Sequence, residues 1–158
     1  VTDWLAGMTI TAARLLNDAG QWTTYTPTWT SSGGAAPSLG NGTLEGEYSL
    51  NGDTCTARVS LIGGSTTTWG GGQHRFALPF TAASLGNANF HWTGSAIGTD
   101  AGTAYYPGVS RIFSGGTFMM PLGPTTSTGS TPGEWNATRP FTWGNGDYLS
   151  LEITYKPA

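Results

Sequence analysis

Two runs of alternating residues flank the dipeptide Asn51-Gly52. In the first, Leu44, Gly46, Tyr48 and Leu50 point one way while Glu45, Glu47 and Ser49 point the other. Alternation with period two is the mark of a half-buried strand, and Asn-Gly between two such runs is the strongest short-range hairpin signal. A two-residue turn at Asn51-Gly52 pairs Leu50 with Asp53. Counting outward then sets Tyr48 opposite Cys55, Gly46 opposite Ala57 and Leu44 opposite Val59 on the apolar face, with Glu45 facing Arg58 on the other.

The rest of the chain is consistent with that hairpin. From Gln21 onward no helical periodicity occurs. Tyr25, Pro27 and Trp29 alternate with threonines in a first strand. Further strands are expected at His74 to Phe80, Asn89 to Ile97, Val109 to Phe113 and Thr117 to Leu122. The last runs from Tyr148 to Tyr155, entered by a turn at Asn145-Gly146, with Leu149, Leu151, Ile153 and Tyr155 on one face. Three connections, Gly63 to Gly72, Thr81 to Ala88 and Gly123 to Thr138, are rich in Gly, Ser, Thr or Pro; the last is long enough to suggest a functional or mobile loop. Short strands separated by turn signals predict an all-β antiparallel fold, either a β-sandwich, a jelly-roll-like domain or a barrel.

The first twenty residues differ. Thr11 suits an N-cap, 12 to 18 read as two helical turns, Gly20 as the stop, and Ile10 with Leu15 as a hydrophobic staple. Two turns are unstable alone in water, so the short helix must dock on the body or on neighbouring chains. The expected organisation is an N-terminal segment over 1–20 and a β-domain over 21–158.

Composition sets the energetic problem. Leu, Ile, Val and Phe together number 26 of 158, whereas Gly numbers 25, Ser and Thr 39, and Trp seven. Burial of apolar area contributes roughly 25 cal/mol per Å², so a core this poor in aliphatics needs aromatic area and contacts between subunits. A homo-oligomer is expected. Charged residues make up 9% and the net charge is −3, with six Lys and Arg spread singly. That distribution forms no basic stripe and excludes nucleic acid as a partner. No run approaches the ~20 apolar residues of a membrane helix, and no signal peptide opens the chain. Cys55 is alone, which rules out an intrachain disulfide and reads as a buried thiol.

The search for chemistry finds no GxSxG elbow, P-loop, HExxH or EF-hand pattern. Glu45 and Glu47 share a strand face and would suit glycoside hydrolysis, but a cross-strand ion pair with Arg58 is the more economical reading. His74 and His91 lack neighbours at metal-ligand spacing, so no catalytic residue, metal or other cofactor is expected. The triplets Asn41-Gly42-Thr43 and Asn136-Ala137-Thr138 match a glycosylation pattern of the kind that arises by chance in a Thr-rich chain. Aromatics in Gly- and Thr-rich stretches are more suggestive. Trp69, Tyr105, Tyr106 and Trp135 are candidate glycan-binding residues, because a ring face stacks on a sugar while Tyr and Trp add a polar tip. The competing reading is that these rings lie in the core or at a subunit interface.

Several segments resemble one family. They are Trp22-Thr-Thr-Tyr25-Thr-Pro27-Thr-Trp29, Pro37-Ser-Leu-Gly40-Asn41-Gly42-Thr43-Leu44, Gly63-Gly-Ser-Thr-Thr-Thr, Phe76-Ala-Leu-Pro79 and Phe141-Thr-Trp-Gly-Asn-Gly-Asp147. Together they are similar to the C-terminal domains of bacteriophage fibre, minor tail and spike proteins, above all of phages of actinobacteria. The opening Trp4…Gly7…Ile10-Thr-Ala-Ala-Arg14-Leu resembles the short helix that precedes such domains. The resemblance implies a non-enzymatic virion component, a homotrimer assembled in the host cytoplasm and anchored through Trp4, Ile10, Leu15 and Leu16. Its implied partners are phage capsid or tail proteins and host-surface glycan. A chain of this length leaves no long shaft, so a head fibre or capsid decoration protein fits beside a tail tip. A glycan-cleaving tailspike and a secreted carbohydrate-binding module are the remaining alternatives.

Overall fold

The computed structural model describes residues 7, 9, 11–12, 20–125 and 131–158. The expected helix over 12–18 and the anchor residues Trp4, Ile10, Leu15 and Leu16 lie outside the described residues, Ala12 excepted. Ten strands follow: β1 (Trp22–Tyr25), β2 (Trp29–Ser31), β3 (Thr43–Asn51), β4 (Thr54–Ile62), β5 (His74–Ala77), β6 (His91–Asp100), β7 (Ala104–Phe113), β8 (Phe118–Gly123), β9 (Gly133–Glu134) and β10 (Tyr148–Tyr155). Every pairing is antiparallel.

The strands hydrogen-bond in one path, β1-β3-β4-β10-β6-β7-β8-β5-β2, with β9 beside β8. The expectation of a two-sheet sandwich or jelly roll is therefore corrected: this is a single curled antiparallel sheet, a half-barrel. The curl follows from one short connection. The two ends of the path, β1 and β2, are consecutive in the chain and separated by Thr26, Pro27 and Thr28 alone. Laid flat, nine strands about 4.8 Å apart would hold those edges roughly 38 Å apart. From Tyr25 to Trp29 the chain reaches at most about 14 Å. The sheet must bend until its edges meet. Tyr25 Oη donates to the Ala77 carbonyl (3.3 Å) and the Ala77 N–H to the Thr28 carbonyl (3.0 Å), fixing the bend to β5. Pro27 explains why the single expected strand through Tyr25 and Trp29 is two: it has no N–H to give to a ladder, and it is buried where the chain changes edge.

The hairpin forms at the expected place with a different register. Asn51 pairs with Thr54 and Leu50 with Cys55, so Tyr48 faces Ala57, Gly46 faces Val59 and Leu44 faces Leu61. Gly52, at φ +59°, is the first residue of the two-residue loop Gly52-Asp53, and among the described residues no non-glycine takes positive φ. The turn places Gly first, as a type II′ loop prefers, and leaves Asn51 in the strand. A slide of two residues keeps every side chain on its face. It changes partners: Arg58 faces Glu47, not Glu45, and pairs with it at 3.2 Å.

The remaining strands match expectation at β10, whose bounds are those read from the sequence, and depart elsewhere. β5 stops at Ala77, before Leu78-Pro79. β7 begins at Ala104 and takes in Tyr105-Tyr106-Pro107, which the sequence pattern left in a connection. The loop over 123–138 contains β9 and is tied down after it: the Trp135 N–H donates to the Pro121 carbonyl (3.2 Å), and the Trp135 carbonyl accepts from the His74 N–H (3.0 Å).

Inside the curl the scarcity of aliphatics is met by rings. Trp69 stacks on Trp143 (centroids 4.8 Å), Trp143 meets Phe141 (4.3 Å), Phe141 stacks on Tyr106 (4.9 Å), and Trp29 packs on Trp69 (5.4 Å) and Phe76 (6.2 Å). The aliphatic contribution comes from Val59, Leu61, Leu149, Leu151 and Ile153 on neighbouring β4 and β10. Polar atoms on the rings are paired with backbone: Trp135 Nε1 donates to the Pro124 carbonyl (3.1 Å), Trp143 Nε1 to Arg139 (3.0 Å) and Tyr155 Oη to Phe80 (2.9 Å). Burial pushes the Tyr25 and Tyr155 hydroxyls and the Cys55 thiol above their ordinary pKa, which keeps all three protonated. Cys55 is fully buried, as a structural thiol is expected to be.

Glycines make room for these rings. A Cβ on Gly98 would stand 2.9 Å from Trp143, one on Gly108 2.7 Å from Trp135, and one on Gly123 3.0 Å from Trp135. These three glycines lie on adjacent β6, β7 and β8, so the Trp135 indole lies against bare backbone where Gly in a strand allows close approach. Replacing Gly108 by Ala sets its methyl 2.6 Å from the Leu122 carbonyl as well. This overpacked variant should lose about 2 kcal/mol in urea denaturation, whereas Gly86→Ala, with open space around it, should unfold at the wild-type midpoint.

His74 sits fully buried among Trp29, Trp69 and Trp143 (centroids 5.6, 5.9 and 6.2 Å). Trp29 Nε1 donates to its Nδ1 (3.4 Å), which fixes the neutral tautomer with the proton on Nε2. Burial lowers its pKa to about 4, with the Asn136 backbone acting weakly the other way. The unfolded chain, at about 6.5, therefore takes up the proton first as pH falls. The stability that neutral His74 contributes is complete above about pH 6.5 and lost between there and about pH 4, a change of about 3 kcal/mol. Urea midpoints at pH 7.5, 5.5 and 4 should fall steeply for the wild type and less so for His74→Phe.

Candidate functional site

The curl gives the sheet an inside, which holds the core, and an outside, which faces solvent. Alternation assigns each residue. Tyr105 and Tyr106 are neighbours on β7 and therefore point to opposite faces. Tyr106 is buried against Phe141, whereas Tyr105 is 70% exposed. Of the other two aromatic candidates, Trp135 is 0% exposed over its glycine bed and Trp69 is buried in the ring cluster. Three of the four rings thus pack the interior, and Tyr105 is the one whose face is open.

Register lines the outer residues up in rows. One row across β3, β4, β10, β6 and β7 reads Thr43, Ile62, Tyr148, Thr99, Tyr105. The next reads Glu45, Ser60, Ser150, Ile97, Pro107, and the third Glu47, Arg58, Glu152, Ser95, Val109. Small Ser60 and Ser150 in the second row and Ser95 in the third leave a shallow depression of about 350 Å³, walled by Glu45, Glu47, Arg58 and Ile97. Charge is unevenly placed around it. Arg58 is held by Glu47 and by the Trp22 ring, 3.6 Å beneath its guanidinium carbon. Glu45 and Glu152 make no salt bridge with a described residue. The β6–β7 side of the face carries exposed Ile97 and Val109, with Tyr105 at the corner.

The face offers hydrogen-bond acceptors and hydroxyls beside apolar and aromatic surface, a set suited to holding a polyhydroxylated partner. Among the described residues no three His, Cys, Asp or Glu side chains converge as a metal site would require. Of these residues the sequence named Tyr105 as a glycan-binding candidate, and Glu45, Glu47 and Arg58 as charged neighbours on one face of the hairpin best read as an ion pair. Sequence reasoning missed Ser60, Ser95 and Ser150, because their convergence depends on β10 lying between β4 and β6, which no local pattern encodes. The alternation on β10 already placed Ser150 and Glu152 on the outer face, and that was the available signal.

No family model matches the chain, and no solved structure matches it. Among curated proteins, the chain is 37% identical over 119 residues to the Mu-like prophage FluMu defective tail fiber protein of Haemophilus influenzae. The matched stretch is 75% of this chain and 18% of that protein, so the chain corresponds to a small part of the relative's length. The relative belongs to a Haemophilus prophage, whereas the motif resemblance pointed first to phages of actinobacteria. Over these 119 residues, three quarters of its length, the chain belongs with the phage tail-fibre proteins.

Proposed function

We propose that the chain is a non-enzymatic structural domain of a phage tail fibre, carried on the virion as a homotrimer whose outer faces meet host-surface glycan. The observation that carries this reading is the 37% identity with a tail fibre protein over 119 residues. The fold supports it in two ways. The aliphatic-poor interior leaves stability to be gained from neighbouring chains, and the outer face exposes Ile62, Ile97, Val109 and Tyr105, apolar surface of the kind that marks contact sites. Segment 1–20, with Trp4, Ile10, Leu15 and Leu16, is the proposed attachment to other tail proteins. Of the two carboxylates Glu45 and Glu47 that would suit hydrolysis, Glu47 is committed to Arg58, which favours binding over hydrolysis by that pair. Three copies per fibre and several fibres per particle make weak individual contacts sufficient, because linked sites raise avidity by roughly 10² to 10⁴.

Light scattering on the purified chain should give three times its 16.4 kDa mass. Gold-labelled antibody against the chain should decorate the tails of intact virions, and the purified chain should compete with phage adsorption to host cells. Label on the head would replace the tail-fibre reading by a capsid decoration role, and a monomer would overturn the trimer.

A further inference from the structure

At the corner of the outer face, Thr99 lies between two tyrosines, with Tyr148 of β10 and Tyr105 of β7 its registered neighbours on either side. Thr99 is 3% exposed, and its Oγ1 makes no hydrogen bond within the described chain. An unpaired buried hydroxyl is costly to a fold. Thr99 is a lining residue of a pocket of about 390 Å³, bounded by Tyr148, Tyr105, Asp100, Thr103 and the backbone of the loop between them, with its hydroxyl buried beneath that surface.

The pocket is held in shape from below. Asp147, at the entry to β10, accepts the Ala101 N–H (2.9 Å) through one carboxylate oxygen and the Gly144 N–H (2.6 Å) through the other. The Thr103 N–H closes the loop on the Asp100 carbonyl (2.9 Å), and Gly102 takes the φ of +78° that the turn requires. The loop that walls the pocket is therefore tied to β10, and binding need not order it first.

We infer that this pocket is a saccharide subsite, taking one neutral or amino-substituted sugar ring. The inference rests on the reading of the outer face as a glycan-binding surface and assigns the residues that do the binding. Tyr105, 70% exposed, presents a ring to the apolar C–H face of a pyranose. Thr99 Oγ1 supplies the unpaired hydroxyl for a sugar hydroxyl. Asp100 accepts from two further positions and, as the one charged side chain in the lining, repels an anionic sugar. The volume suits one or two rings. Among the aromatic candidates of the sequence, Tyr105 belongs to this site, and Thr99, Asp100 and Tyr148 complete it.

Saturation-transfer NMR on the intact chain with glucose, galactose, N-acetylglucosamine and N-acetylneuraminic acid tests the assignment. At least one neutral sugar should give a signal and the anionic sugar none. Tyr105→Ala and Thr99→Val should each weaken binding of the neutral sugar about tenfold or more. Thr99→Val replaces an unpaired hydroxyl by a methyl of similar shape, so its melting temperature should stay the same or rise while binding falls. A structural role for Thr99 would not separate these two readouts. Absence of signal from every neutral sugar, or unchanged binding in both variants, overturns the subsite. Adsorption competition with the same variants separates this from the wider reading. If both variants lose the sugar by NMR yet still block adsorption, the subsite stands and the receptor contact lies elsewhere on the fibre. If the wild-type chain itself does not compete, the receptor reading fails, and the NMR result still decides the pocket.

Discussion

A large ring can fill the inside of a curled sheet only where the sheet withholds side chains of its own. Trp135 lies on β6, β7 and β8 at Gly98, Gly108 and Gly123, all of which would collide with Trp135 or its neighbour Trp143 if they carried a Cβ. Elsewhere the same exchange recurs: a Cβ on Gly63 would meet Trp69 at 2.6 Å, and one on Gly46 would meet Tyr25 at 2.7 Å. Glycine in a strand ordinarily weakens it, through chain entropy and lost packing. Here the loss is offset by indole and phenol area that no aliphatic at those positions would bring. The composition that first looks unfavourable to a core, many glycines and few leucines, is the composition this packing requires.

The curl depends on that filling and on the three residues that join β1 to β2. Those strands are the two edges of the sheet, with four and three residues respectively, and short edges limit pairing with other chains. Because they are consecutive in the chain, neither can move away from the other without stretching Thr26 to Thr28. The Trp29 ring, at the start of β2, packs on Trp69, Phe76 and His74. The second edge is thereby docked on the same aromatic cluster that the glycines accommodate. Closure and packing are two descriptions of one constraint.

Much of the local structure was legible in the sequence. The alternation of Leu149, Leu151, Ile153 and Tyr155 fixed both ends of β10 and its buried face, because period two sustained over eight residues suits a half-buried strand and defeats a helix. The hairpin at residue 52 was legible in kind but not in register. Asn-Gly is read as a loop pair, yet the positive φ falls on Gly52 alone, and Asn51 remains a strand residue facing Thr54. The candidate site was less legible for a physical reason. Tyr105 and Tyr106 look alike in a sequence, and only the extension of β7 back to Ala104 assigns them to opposite faces. Trp69 and Trp135 sit in Gly- and Thr-rich stretches that imply surface loops, but each packs against glycines, Trp69 on Gly63 and Trp135 on Gly108 and Gly123, that are distant or unremarkable in sequence. Thr99 carries no signal at all until Tyr148 is placed beside it, and that placement depends on the last strand entering the middle of the sheet.

The position of β10 also explains how the two faces divide their work. By pairing with β4 on one side and β6 on the other, it joins the hairpin formed early in the chain to the meander formed later. Its inward residues Leu149, Leu151 and Ile153 carry much of the aliphatic part of the core. Its outward residues Tyr148, Ser150 and Glu152 lie at the centre of the exposed rows, where each meets side chains from both halves of the chain. Substitutions on the outer positions leave the inner packing untouched, because alternation separates them by the thickness of the backbone. A domain built this way can change the side chains of its outer surface while keeping the aromatic and glycine framework beneath them.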